Sequence, residues 1–183
     1  MSEAALERFH ASVRLGPIAA GERKAARARE LRRSYQLEGR IRARQSDPAY
    51  IAGCMLYWAE GAKSRNTLEI VNSDPELLVS FAAFLRTYFD VTNDQMRVRC
   101  NLFADDAETQ RQIEDFWLDR LGLDRTKLWR SAVNVYSKYS QKKRRGKLPY
   151  GTCTLRVHST RIVQTIYGSI QEYGGFDRPA WLD

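Results

Sequence analysis

The amino-acid sequence predicts an α+β domain in which helices cover one face of a sheet and leave a basic face open, preceded by a basic helical segment. Three observations carry this. Apolar residues recur at helical spacing in four separate stretches. Short runs between them alternate apolar with hydrogen-bonding residues, as half-buried strands do. The two kinds of segment are interleaved along the chain, which suits helices layered on a sheet. With 183 residues, 43% of them hydrophobic, the chain is long enough for one domain with a core.

Residues 1–46 differ in composition from the rest of the chain. From Glu22 to Arg44 the run is rich in Ala, Arg, Glu and Leu, with Leu31, Tyr35 and Ile41 as sparse apolar points. It favours helix by propensity but offers a thin core face. A solvated basic helix and an arm lying along phosphates are both open, and they are compatible. Residues 47–176 form the main domain and 177–183 a short tail.

Ser46-Asp47-Pro48 opens a helix with a capping oxygen followed by proline at the first turn, and Ser73-Asp74-Pro75 repeats the device. Between them Gly61 stops the first helix and Thr67 to Val71 reads as a strand. The second helix aligns Leu77, Leu78, Phe81, Phe84, Leu85 and Tyr88 on one face. Met96 to Leu102 alternates as a strand. Asp105 with Glu108 resembles a capping box opening a helix through Ile113, Phe116, Trp117 and Leu121, which Gly122 ends. Strands follow around Trp129 to Tyr136 and Thr152 to Val157. A last helix, opened by Ser159, runs through Ile162, Val163, Ile166, Tyr167 and Ile170.

The net charge of +8 and pI of about 9.6 point to polyanionic partners. No apolar run approaches the roughly 18 residues of a membrane span, and the first residues lack a signal peptide's apolar stretch; a cytoplasmic protein is expected. Cys54, Cys100 and Cys153 are scattered and set among apolar residues, and read as buried reduced thiols. His10 and His158 are the only histidines. Any metal must therefore be held by carboxylates.

The strand positions alternating away from the core carry Arg97, Arg99 and Asn101, then Arg130, Asn134 and Tyr136, then Thr152, Thr154 and Arg156. These side chains reach phosphates and base edges. Lys142, Lys143, Arg144, Arg145 and Lys147 crowd the loop before the last strand. Exposed strand faces are polar in any case, but a merely solvated one mixes signs. Between Arg125 and Gln171 there are eleven Lys or Arg and no Asp or Glu. The face is expected to meet nucleic acid.

The opening helix, IAGCMLYWAEGAK, raises a question of its own. At 100° per residue Ala49, Ala52, Gly53, Leu56 and Glu60 fall on one stripe, with Ile51, Cys54 and Trp58 opposite and bound for the core. Small residues on a stripe admit a second helix at close range. Glu60 then sits at a helix C-terminus, where the macrodipole disfavours an anion by about 0.3–1 kcal/mol. Lys63 or Arg65 downstream, simple hydration, or a divalent cation are the open compensations.

This stretch resembles the signature helix of LAGLIDADG homing endonucleases, with Glu60-Gly61 over the motif's closing Asp-Gly. NSDPELL, the Trp-containing third helix and GTCTLRVHST extend the likeness over roughly residues 49–175. The resemblance implies an antiparallel sheet forming a saddle over the major groove of double-stranded DNA. It also implies two such helices packed about a twofold axis, through Ala49, Ala52, Gly53 and Leu56. Glu60 is assigned as ligand to Mg2+ and Gly61 as the turn after it, with Lys63 and Lys138 as basic groups of a catalytic site. With one motif per chain, the complete site requires a homodimer. Met55 stands where the motif has its first glycine, Tyr57 and Trp58 are bulkier than usual, and one strand follows Gly61 where the fold commonly has two. Family members have also lost cleavage and kept binding. A non-catalytic transcription regulator and an RNA-binding or splicing-assistance protein are therefore the alternatives to a nuclease.

Overall fold

The computed structural model describes residues 3–45, 47–134 and 148–183, and side chains from residue 18 onward. Among these residues five α-helices and four strands follow in the order α1 (Glu3–Ala43), α2 (Pro48–Glu60), β1 (Leu68–Asn72), α3 (Pro75–Phe89), β2 (Met96–Phe103), α4 (Ala107–Leu121), β3 (Ala132–Asn134), β4 (Thr152–Val157) and α5 (Thr160–Gly174). The α+β class holds, and the helix starts follow local chemistry. The Asp47 carboxylate accepts from the Ala49 and Tyr50 N–H groups, and Asp74 accepts from Glu76. Each satisfies backbone donors that the first helical turn leaves without partners. The α4 cap is Asp106, which accepts from the Thr109 N–H at 2.7 Å; the sequence expectation of Asp105 is one residue early.

The sheet order is β1-β4-β2-β3. β4 runs antiparallel to both neighbours, but β3 runs parallel to β2, so the sheet is mixed and not antiparallel throughout. The cause is α4. A helix between two strands carries the chain back along the sheet, so the next strand sets out in the same direction as the last. β3 begins at Ala132 and not at the predicted Trp129; Leu128 bridges Val98 ahead of it, and Tyr136 lies outside the described residues.

One sheet face holds Leu68, Ile70, Met96, Val98, Cys100, Leu102, Cys153, Leu155 and Val157, all buried under the helices. The alternate positions face outward, as the period of two requires. On α2 the buried residues are Tyr50, Gly53, Cys54 and Tyr57. Trp58, expected in the core, is 38% exposed and leans on Phe176, ring centres 5.5 Å apart. Tyr57 takes the core place instead: its hydroxyl donates to the Ala62 carbonyl at 2.6 Å and its ring stacks on Phe81.

α5 is buried continuously from Ile162 to Gln171, because the sheet side of it is covered by the core and the far side by α1. The two helices meet backbone to backbone at Gly39 and Gly168. A Cβ on Gly39 would lie 1.9 Å from the Thr165 carbonyl oxygen, and one on Gly168 the same distance from that of Gln36. Only glycine permits that approach. Polar side chains fill the seam: Gln36 donates to Gln164 at 2.7 Å and accepts from Gln171 at 3.0 Å, while Arg32 donates to the Leu182 carbonyl. The last residues are seated here too, with Trp181 stacked on Tyr167 at 4.4 Å between ring centres.

Candidate nucleic-acid interface

Period-two alternation puts Arg97, Arg99 and Asn101 of β2, and Thr152, Thr154 and Arg156 of β4, on the open sheet face. Antiparallel register sets Arg97 opposite Arg156 and Arg99 opposite Thr154. Like charges directly opposite are destabilising, and both members of the Arg97–Arg156 pair are engaged elsewhere. Arg97 donates to the carbonyls of Asp94 and Met96 at 2.6 and 2.7 Å. Arg156 pairs with Glu69 of β1, opposite it in register, and lies 4.9 Å over the Trp129 ring. Arg99 and Arg130 are exposed. Asn134 donates to the Asn101 side chain at 3.0 Å across the β2–β3 pair. A shallow cleft of about 80 Å3 lies between Arg97, Arg99, Trp129, Thr154 and Arg156.

Trp129 and Glu69 are members of this face that the sequence reading did not name. Trp129 is 36% exposed, with its ring centre 5.8 Å from that of His158. Period-two alternation gave no signal for it: Trp129 has the opposite parity to Arg130 and Asn134. Tyr136, Lys138, Lys142, Lys143, Arg144, Arg145 and Lys147 lie outside the described residues.

The second candidate region is the end of α2. Glu60 is exposed, and its carboxylate accepts from the Asn72 amide at 3.1 Å. Lys63 supplies the cation that the helix end calls for. Its ammonium donates to the carbonyls of Tyr57 at 3.2 Å, Trp58 at 2.8 Å and Gly61. Burial, and to a lesser degree Arg178, lower the Lys63 pKa, and Glu60 opposes that. Gly61 leaves the helix in an extended conformation and bridges Ile70 of β1, so the chain passes directly from α2 onto the sheet edge.

Mg2+ takes about six oxygen ligands in an octahedron. At Glu60 one chain offers one carboxylate, already bonded to Asn72, and helix carbonyls already bonded to Lys63. Among the described residues no group of three or more His, Cys, Asp or Glu could hold a metal ion. The described donors of one chain at Glu60 therefore leave most of the octahedron to water or to a second molecule.

The predicted stripe lines a groove of about 580 Å3 between α2 and α3, with Ala49, Ala52, Gly53 and Leu56 on one wall and Ala83 and Phe84 on the other. Gly53 is accounted for within the chain: a Cβ there would fall 2.1 Å from the Phe84 ring. Ala49 and Ala52 are exposed and Leu56 half-buried. No helix among the described residues is long and apolar enough to cross a membrane. Comparison with protein-family models, curated proteins and solved structures finds no match to this chain.

Proposed function

We propose that the protein binds duplex DNA across its open sheet face, as a homodimer formed through the α2 groove in the manner that the LAGLIDADG resemblance implies. One observation carries the reading. The described strands present Arg97, Arg99 and Arg156 with Asn101 and Thr154 on one face, and the single carboxylate among those strands, Glu69, is held by Arg156. Guanidinium groups fix phosphates, while amide and hydroxyl groups reach base edges. Hydrolysis of DNA would need the Glu60 carboxylates of two chains on one divalent ion. It is a separate proposal with a separate test.

Binding is tested by anisotropy of a labelled duplex at 50 and 200 mM salt. Four phosphate contacts imply a slope near −3.6 in log K against log salt, or about a hundredfold loss over that range. Replacing Arg99 and Arg130 together by Ala should reduce the slope by about 1.8. No binding at 50 mM salt, or an unchanged slope in the double variant, refutes the interface. A folded RNA that displaces the duplex at equal concentration would move the assignment to RNA. Cleavage is read separately, with Mg2+ on supercoiled plasmid and a genomic-fragment library. A nuclease loses cleavage in Glu60→Gln while keeping affinity; binding by both proteins without cleavage leaves a regulator.

A further inference from the structure

Cys100 and Cys153 occupy the two central strands, directly opposite in register, and both are fully buried. The kind of opposition they make is set by the neighbouring strand. In a strand the N–H and C=O of one residue point to the same side, and in an antiparallel pair opposed residues alternate between exchanging both hydrogen bonds and exchanging none. The Val98 carbonyl accepts from the Trp129 N–H, on the β3 side of β2. The Ala104 N–H donates to the Asn134 carbonyl on that same side. Cys100 lies between them at even spacing, so its backbone groups also face β3 and turn away from β4. Cys100 and Cys153 are therefore a non-hydrogen-bonded pair, the kind whose Cα atoms approach to about 4.5 Å. A disulfide needs Cα atoms about 4.4–6.8 Å apart, and opposed side chains share one face of the sheet.

We propose that Cys100 and Cys153 are a modification site: a cross-strand thiol pair that a peroxide closes to a disulfide in the folded protein. The two thiols are not equivalent. A hydrogen bond from Cys153 draws Cys100 below the ordinary thiol range against the effect of burial, and the same bond together with burial pushes Cys153 up. The Cys100 side sits beside Ser131, whose hydroxyl donates to the buried Glu114 carboxylate at 2.7 Å. The step runs with Cys100 as the attacking sulfur, the roles being exchangeable within the pair. Its thiolate takes one oxygen from hydrogen peroxide, the O–O bond breaks, and hydroxide leaves with the thiol proton as water. The resulting sulfenic acid is attacked by the Cys153 sulfur, the S–S bond forms, and a second water departs. Two thiols are oxidised and one peroxide is reduced. Cys54 lies on α2 and takes no part.

The test uses the full chain, reduced and then treated with hydrogen peroxide to completion, quenched, unfolded and alkylated for mass measurement. Alkylatable thiols should fall from three to one, with the loss of two hydrogens, and return to three with dithiothreitol. Cys54→Ala should fall from two to none, and peptide mapping should join Cys100 to Cys153. The bond closes a loop of roughly 50 residues, so the Tm of the oxidised protein should rise by about 10 °C. Three thiols retained, oxygen adducts without a crosslink, a bond that includes Cys54, or an unchanged or lower Tm would each overturn the proposal.

Discussion

Replacing Gln164 by Leu tests whether α1 is bound to the domain by polar contacts. Gln164 is fully buried and joins four segments: it accepts from Gln36 of α1 at 2.7 Å and donates to the carbonyls of Arg65 at 2.8 Å and Trp181 at 3.0 Å. Leu has nearly the same volume and leaves all three partners without this contact. Each stranded buried polar group costs about 1–3 kcal/mol, and burying the Leu side chain returns about 2 kcal/mol. The net is a loss of about 4 kcal/mol, the centre of a range of about 1–7 kcal/mol. With an m-value near 2 kcal/mol/M, the urea midpoint should fall by about 2 M. Gln36→Leu in the same background should cost less than its effect alone, because both sides of one hydrogen bond are then apolar. A midpoint within about 0.3 M of the wild type would refute the seam and free α1 from the core.

Two further outcomes rest on buried contacts. Gly53→Ala puts a methyl group into the Phe84 ring and should cost about 2 kcal/mol, a fall of about 6 °C in Tm; an unchanged Tm would mean that α2 and α3 are not packed this closely. Burial works to raise the Glu114 pKa, but hydrogen bonds from Gln110, Ser131 and Arg125 outweigh it and hold it below its ordinary 4.5. A depressed folded-state value makes the stabilisation complete above that ordinary value and lost as pH falls through the folded one. Glu114→Gln should be less stable than wild type at pH 7 and converge with it below pH 4.5 in urea titrations; a constant gap would refute it.

The open face was legible because its rule is local: side chains alternate with a period of two whatever lies on either side. Five of the helix positions that face the core on α5 were legible for the same reason. The other side of α5 was not. Gln164, Thr165, Ser169 and Gln171 are polar residues at solvent-like spacing, and the arrival of α1 and of the segment around Arg178 and Trp181 buries them. The matching residues of α1, Arg32, Gln36 and Gly39, read as a thin and polar helix face when taken alone. The parallel course of β3 was hidden likewise, since strand pairing depends on where α4 returns the chain. Trp58 and Tyr57 are neighbours in the chain, and what separates them is the Ala62 carbonyl, brought within reach by the bridge from Gly61 to Ile70.

The carboxylate at the end of an apolar helix has a partial answer within one chain. Lys63 satisfies three carbonyls at the α2 terminus, so the cation that the macrodipole favours there is present without a metal. Phe84 likewise explains Gly53. Of the predicted stripe, intramolecular packing leaves Ala49, Ala52 and Glu60 exposed. Glu60 binds only the Asn72 amide among the described contacts of its side chain, and a glutamine there keeps an acceptor for that amide. The Glu60 charge also acts favourably on the Lys63 ammonium, which offsets the unfavourable placing of an anion at a helix C-terminus. Glu60→Gln keeps the Asn72 contact and removes one charge beside Lys63, so it separates the two proposed readings, nuclease and regulator, with little disturbance to the fold.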